Sequence, residues 1–119
     1  WWPMPRDFLL LATSGFPEPA TFAPLVANFR AQAANFGARP LAELCVPGSI
    51  ALQTRPQLLE PHLALLRRAG RELAREGELG QTLIATINRA PLSVDQYLEI
   101  GREYEAVCRL RLEKSTARE

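Results

Sequence analysis

The spacing of apolar residues predicts two short strands near the start of the chain. Asp7 to Ala12 reads DFLLLA, and Pro40 to Val46 reads PLAELCV. Continuous apolar runs of strand length are typical of strands that are buried on both faces of a parallel sheet. The first run ends in Thr-Ser-Gly and the second in Pro-Gly, which are suited to tight turns. We therefore predict a β-strand at each run.

A helix is predicted between the two strands, from near Thr21 to Gly37. Apolar residues recur there at spacings of three and four, which places them on one face of a helix. That stripe comprises Phe22, Leu25, Val26, Phe29, Ala33 and Phe36. Thr21 is a suitable N-cap, and Pro24 is tolerated in the first turn, where amides lack intrahelical partners. The order strand, helix, strand favours a right-handed parallel crossover.

Three further helices are predicted after the second strand. Gln57 to Glu76 is amphipathic and ends at Gly77, a typical terminator. Gln81 to Ala90 is a shorter helical segment that Pro91 ends. Ser93 then begins the last helix with a capping box, whose second member is the glutamine three residues later. The segment SIALQ, directly after the second strand, is too short to assign.

The sequence also predicts which face of the last helix is buried and how the two ends of the chain are arranged. The stripe expected to face the core consists of Val94, Tyr97, Leu98, Gly101, Tyr104 and Cys108. Residues 113–119 are expected to form a frayed polar tail. Residues 1–6 are expected to be an extended lead-in, because each proline there biases its predecessor away from helix.

Composition and charge narrow the class of protein and its partners. The chain has 119 residues, 47% hydrophobic, and its 14 Lys and Arg nearly balance 13 Asp and Glu. This balance provides no large positive field to attract nucleic acid or an anionic membrane, so neither is an expected partner. No apolar run approaches the ~20 residues that span a bilayer, and no signal peptide is evident. A cytoplasmic location is therefore expected. Cys45 and Cys108 are expected to be reduced, buried thiols.

Two strands and about four helices make an unbalanced α/β inventory. A doubly wound sheet needs several parallel strands to cover helices on both faces. The chain is therefore expected either to form a homo-oligomer or to be the C-terminal part of a larger domain, although a single domain spanning residues 1–119 also stays open. The start at Trp1, rather than at Met, favours a chain that begins inside a longer product.

The segment FLLLATSGFPEPATFAPLVANFRAQAANFG resembles part of a known flavoprotein family. It is similar to the fourth strand, following loop and next helix of flavodoxin-like NAD(P)H-dependent FMN reductases and iron-sulfur flavoproteins. The strand of those proteins opens onto a turn like Thr13–Pro17. The later stretch INRAPLSVDQYLEIGREY also resembles their last segment, where a proline precedes the final helix and a tyrosine lies in its first turn.

The resemblance implies a partial flavodoxin-like fold, with three layers and a parallel sheet, and an FMN-dependent oxidoreductase that draws reducing equivalents from NAD(P)H. In this chain Thr13, Ser14, Gly15 and Phe16 would then form one loop around the flavin ring. The Thr13 and Ser14 hydroxyls would donate hydrogen bonds to the flavin. Gly15 would allow the main chain to approach the flavin closely, and Phe16 would pack against the flavin ring. The open alternative is an ordinary turn, in which Gly15 permits a positive φ and Phe16 packs inward.

The chain departs from the family in lacking a phosphate-binding loop. The family holds the FMN phosphate in a Ser/Thr-rich, glycine-containing loop after its first strand, where amides at a helix N-terminus bind the anion. No such loop, and no GxGxxG or GxxxxGK[ST] motif, occurs here. We therefore expect weak or absent FMN binding and no activity from this chain alone.

No residue is assigned a catalytic or metal-binding role. His62, the single histidine, is expected at the surface or at its boundary, and it has no neighbour spaced for nucleophilic catalysis or zinc binding. Arg67, Arg71 and Arg75 recur on one face of the Gln57–Glu76 helix with glutamates nearby, so a solvated, ion-paired surface is expected. The alternative function is a non-enzymatic α/β interaction module that dimerises through apolar surfaces.

Overall fold

A computed structural model describes the backbone of residues 6–116 and the side chains of residues 6–110. The elements are β1 (Asp7–Thr13), a 3-10 turn (Pro19–Phe22), α1 (Ala23–Asn35), β2 (Arg39–Val46), α2 (Ser49–Thr54), α3 (Pro56–Glu76), α4 (Gln81–Ile87) and α5 (Val94–Thr116). Both predicted strands are confirmed, and the previously unassigned SIALQ forms α2. Most of the expected lead-in, residues 1–5, and residues 117–119 lie outside the described residues. Residues 113–116, which were expected to belong to a frayed tail, are helical and form the last turn of α5.

The two strands pair in parallel, which confirms an α/β fold with a parallel sheet. The Arg39 amide donates to the Arg6 carbonyl at 2.7 Å at one end, and the Ser14 amide donates to the Val46 carbonyl at 3.0 Å at the other. The register shifts between Phe8 and Leu9, so that β2 contains one extra residue there. The described chain thus contains a two-stranded sheet and five α-helices.

Helices cover the two faces of the sheet unequally. The main core lies on the face of β2 that carries Ala42, Leu44 and Val46. It is completed by residues of the later helices and their connection, namely Leu52, Ala69, Leu79, Leu83 and Ile87. On the opposite face, Arg30 of α1 forms a bidentate pair with Glu43 of β2, with N–O distances of 2.6 and 2.7 Å. The sheet is therefore the middle layer of three.

Burial of β1 differs from the expectation. Its residues alternate between half-buried and exposed, and Leu9 and Leu11 are 41% and 59% exposed. In a parallel pair, the residues opposite each other point to the same side, so both leucines share the face of Leu44. The core helices cover β2 on that face and stop short of β1, so the prediction of a strand buried on both faces was wrong for β1.

The first helix begins two residues later than predicted because a 3-10 turn precedes it. Thr21 lies inside this turn, where its hydroxyl donates to the Glu18 carbonyl at 2.8 Å, and Phe22 occupies the N-cap of α1. Of the predicted apolar stripe, Phe22 and Ala33 are buried, whereas Leu25 and Phe36 are largely exposed. The stripe was therefore only partly a core-facing surface.

The C-terminal helices follow the sequence prediction more closely. α3 ends at Gly77, which adopts a φ of 71°. The capping box of α5 is confirmed, since the Gln96 amide donates to Ser93 Oγ at 3.3 Å and the Ser93 amide donates to Gln96 Oε1 at 3.0 Å. The predicted inner stripe of α5 was wrong in part. Among the side chains of α5 up to residue 110, Ile100 is the buried one, while Val94, Leu98 and Tyr104 are about half exposed or more.

Candidate functional site

The loop Thr13–Phe16 lies at the carboxyl end of β1 and is tied to the end of β2. Besides the Ser14 amide bond to Val46, the Ser49 amide donates to the Ser14 carbonyl at 2.8 Å. The Gly48 amide, in turn, donates to the Phe16 carbonyl at 2.8 Å. These backbone bonds join the exits of both strands into one connected edge. Ligands of open α/β sheets bind outside this edge.

The Ser14 hydroxyl is oriented by its own loop. Its oxygen accepts a hydrogen bond from the Phe16 amide at 3.2 Å. Thr21 Oγ1 lies 3.4 Å away, but its single proton is used in the shorter bond to Glu18. A serine hydroxyl has one proton and two lone pairs, so the Ser14 proton is able to donate to Thr21 or to an acceptor on a ligand.

Gly15 lies close to a side chain of the neighbouring helix. A Cβ added at Gly15 would lie 2.9 Å from Cδ1 of Ile50, the second residue of α2. Only glycine fits this distance without displacing the isoleucine side chain. Gly15 does not have a positive φ, so the ordinary-turn alternative is wrong on that point. The close approach of Gly15 to a flavin stays a prediction.

Thr13 and Phe16 are the exposed members of the loop. The Phe16 side chain is 64% exposed, so it does not pack inward as an ordinary turn residue would. Thr13 is also exposed, while Ser14 and Gly15 are half-buried. The loop therefore presents the exposed Thr13 hydroxyl, the half-buried Ser14 hydroxyl and the exposed Phe16 ring at the carboxyl edge of the sheet.

A groove of about 340 Å³ lies between α2 and α5, beside this loop. Its walls are mainly apolar, with Gln53 and Thr54 as the polar residues of α2. Tyr97, Ile100 and Tyr104 line it from α5, and Ile50 joins it to Gly15 of the loop. The groove and the loop together form a continuous surface that is suited to a flat, partly apolar ligand.

Sequence reasoning missed most of this groove. Ile50 and Gln53 belong to the segment that was left unassigned, and Ile100 lies outside the predicted stripe. Tyr97 was marked by the resemblance as a tyrosine in the first turn of the last helix. The usable signal for α2 was the Pro47-Gly48 turn, since glycine with a φ of 71° at position 48 starts the helix directly after it.

His62 is buried, so its prediction as a surface or boundary residue was wrong. Its Nε2 atom has no hydrogen-bond partner among the described residues. Burial lowers the pKa of the imidazole below its ordinary value, which keeps the ring neutral. The residue belongs to α3, away from the loop, and its stripe neighbours are leucines. It is a packing residue of that helix.

The cysteines and charged residues add no second site. Burial, and then the negative charge of Glu43, raise the pKa of the Cys45 thiol, so the thiol stays protonated and weakly nucleophilic. Cys108 is half-buried, and both cysteines are free. On α3, Arg67 forms an ion pair with Glu60 and Arg68 forms one with Glu72, each with an N–O distance below 4 Å. Among the residues described, no group of three potential ligands could hold a metal ion.

Comparison with known proteins identifies no relative of this chain. No family model, no curated protein and no solved structure matches it. In the described part of the chain, no helix is both long and apolar enough to cross a membrane.

Proposed function

We propose that this chain is the C-terminal portion of a flavodoxin-like, FMN-binding, NAD(P)H-dependent oxidoreductase. In this proposal the loop Thr13–Phe16 borders the flavin ring. The observation that carries it is the position of the loop, at the carboxyl ends of two parallel strands and hydrogen-bonded across both. Open parallel sheets bind their ligands at this edge, and flavins are among those ligands.

The residues of the edge fit a flavin ring in size and chemistry. A flavin ring is flat and apolar on its faces and carries carbonyl oxygens on one edge. In the proposed complex the Ser14 hydroxyl donates to such an oxygen and the Phe16 ring, which is 64% exposed, lies against a face. The bound FMN would supply the hydride chemistry, whereas these residues would position the ring.

The sequence offers no recognisable binding site for the phosphate of FMN. The sequence contains no glycine-rich loop that leads into a helix, and such loops supply the amides that hold phosphates. We infer that the phosphate is held by a different part of a longer polypeptide. The chain alone is therefore expected to bind FMN weakly or not at all, and to be inactive.

The free cysteines support a reducing compartment, and we propose that the protein works in the cytoplasm. The experiment that tests the flavin proposal is purification of the product of the complete reading frame that contains this sequence. We expect a yellow protein that takes up FMN stoichiometrically in a titration. A colourless protein that shows no change in flavin fluorescence would overturn the proposal.

Substitution of Phe16 tests the placement of the ring. We expect Phe16→Ala in that complete protein to weaken FMN binding about tenfold, because a ring-to-ring contact is lost. Phe36→Ala is the matched control, since Phe36 is also about half exposed but follows α1, at the opposite end of the sheet. Both affinities are measured by fluorescence titration. Equal effects of the two substitutions would remove the loop from the flavin site.

A second candidate is a non-enzymatic interaction module that dimerises through apolar surfaces. The observation that favours it is the exposure of Leu98, Tyr104 and Leu110 along α5. Light scattering on the 119-residue chain separates the two candidates. A defined dimer that ignores flavins supports the interaction module, whereas a chain that stays monomeric or aggregates contradicts it.

A further inference from the structure

The outer edge of β1 has the properties of an interior strand of a larger sheet. Among the described residues, β1 pairs with β2 on one side and with no strand on the other. Its sequence from Phe8 to Ala12 is entirely apolar. Edge strands of natural proteins are commonly protected by charges, prolines or bulges. This run contains no charge and no proline, and the irregularity between Phe8 and Leu9 lies in its pairing with β2, on the inner side.

The backbone of β1 directs hydrogen-bonding groups toward this open side. The Arg6 carbonyl and the Ser14 amide point toward β2, because both bond to it. The direction alternates along a strand, so the amides and carbonyls of Leu9 and Leu11 point the other way. These amides and carbonyls are spaced as they are in a β-ladder, so they could pair with a further strand.

The outer edge of β2 shows how this chain protects an edge. The Asn88 side chain accepts a hydrogen bond from the Cys45 amide at 2.8 Å and donates one to the Glu43 carbonyl at 2.8 Å. The side-chain amide thereby takes the place of a peptide group from a neighbouring strand. On the β1 side, no described side chain does the same for Leu9 or Leu11.

The face of β1 beside this edge is also uncovered. Leu9 and Leu11 are 41% and 59% exposed, although they lie level with Ala42 and Leu44, which the core helices bury. Parallel strands carry helices on both faces, and the layer of core helices ends above β2. A further strand together with its helix would continue both the sheet and this layer.

The accessible surface is large for a complete folded unit. The chain exposes 8809 Å², whereas a folded monomer of 13.3 kDa exposes about 6,500 Å². Part of this excess comes from the distal turns of α5, where Tyr104 and Leu110 are exposed, and the uncovered Leu9 and Leu11 contribute to the remainder.

We propose that the outer edge of β1 binds a further parallel β-strand, and that the helix following that strand packs over Leu9 and Leu11. A second copy of this chain does not fit as well. Two β1 strands paired about a twofold axis would run antiparallel and would place all four leucines on one face with no helix above them. This inference concerns assembly, and it holds whether or not the protein binds a flavin.

The test uses the 119-residue chain and a synthetic peptide, in which a Val- and Ile-rich strand is joined by a short loop to an amphipathic helix. We expect one peptide to bind per chain and to slow amide exchange at Leu9 and Leu11 about tenfold or more. A spin label at the N-terminus of the peptide should broaden the NMR signals of Asp7 rather than those of Thr13, as a parallel strand requires.

Leu11→Lys places a charge on the uncovered face and should weaken peptide binding about tenfold. Leu25→Lys is the matched control, because Leu25 is 45% exposed on α1 and should leave binding unchanged. Far-UV circular dichroism of both variants confirms that each is folded. The proposal is overturned if the peptide does not bind, if it binds Leu11→Lys equally well, or if the chain alone is a dimer with protected Leu9 and Leu11 amides.

Discussion

Burial of His62 links the stability of the protein to pH. Burial lowers the imidazole pKa in the folded state, so the unfolded state binds the proton more readily. Above the pKa of the unfolded state, near 6.5, His62 is neutral in both states and the folded state keeps its full stability. As the pH falls from there through the lower pKa of the folded state, protonation of the unfolded state reduces that stability. The sensitive window begins just below neutrality and extends downward.

We predict that His62→Leu removes this contribution to the pH dependence. A leucine has no polar atom to leave unpaired, so the variant should be as stable as the original chain at pH 7, or more stable by about 1 kcal/mol. The measurement is urea unfolding between neutral and mildly acidic pH. An unchanged slope of the unfolding free energy against pH in the variant would contradict the role given to His62.

Gly48 is required by backbone conformation, and Gly70 is not. Gly48 has a φ of 71°, at the turn that connects β2 to α2 and bonds to the candidate loop. We predict that Gly48→Ala costs about 1–2 kcal/mol, because L-residues are strained in this region. Gly70→Ala, in the interior of α3 with open space around it, should stabilise by up to about 1 kcal/mol. Urea unfolding of both variants tests the contrast, and equal effects would disprove it.

At the scale of elements, Asn88 holds α4 against the edge of β2. Its two hydrogen bonds, to Cys45 and Glu43, satisfy backbone groups that are partly buried. We predict that Asn88→Ala destabilises the chain by about 2–3 kcal/mol, because two backbone groups then lose their partners. Gln32→Ala is the control, since its amide bonds only to the exposed Asn28. A loss below that of the control, measured by urea unfolding, would show that water replaces Asn88 at little cost.

The boundaries of helices could be predicted from the sequence more readily than the contacts between them. The capping box of Ser93 and the terminator Gly77 act through neighbours in the chain, so their roles were readable before any fold was known. Asn88 was not readable, because its partners lie more than forty residues away in the sequence. The burial of His62 and the contact of Ile50 with Gly15 were hidden for the same reason.

At the scale of the whole molecule, the chain is elongated. Its radius of gyration is 18.6 Å, whereas a compact domain of this length has about 13.5 Å. α5 contributes to this shape, because the last buried residue among its described side chains is Ile100, and Tyr104 and Leu110 beyond it are exposed. The ion pair between Arg55 and Glu103, at 2.6 Å, is the last strong contact between α5 and the remainder of the described chain.

This shape predicts uneven protection of the helices. Amides from Tyr104 to Leu110 should exchange with solvent at least about tenfold faster than those from Leu83 to Ile87, because few buried contacts oppose opening of the distal α5. Hydrogen exchange followed by mass spectrometry measures both segments in one experiment. Equal protection would mean that α5 is covered in solution, as the interaction-module alternative requires.

The sequence by itself determined the two strands, four of the five described helices, and the start of α5, because these depend on local periodicity and on turn and cap chemistry. It also pointed to Thr13–Phe16 as the loop to examine, through a resemblance that remains a proposal. Only the tertiary structure decided which apolar residues are covered. The core helices lie over β2 and leave Leu9 and Leu11 exposed. Coverage depends on contacts between distant segments, and no local pattern encodes it.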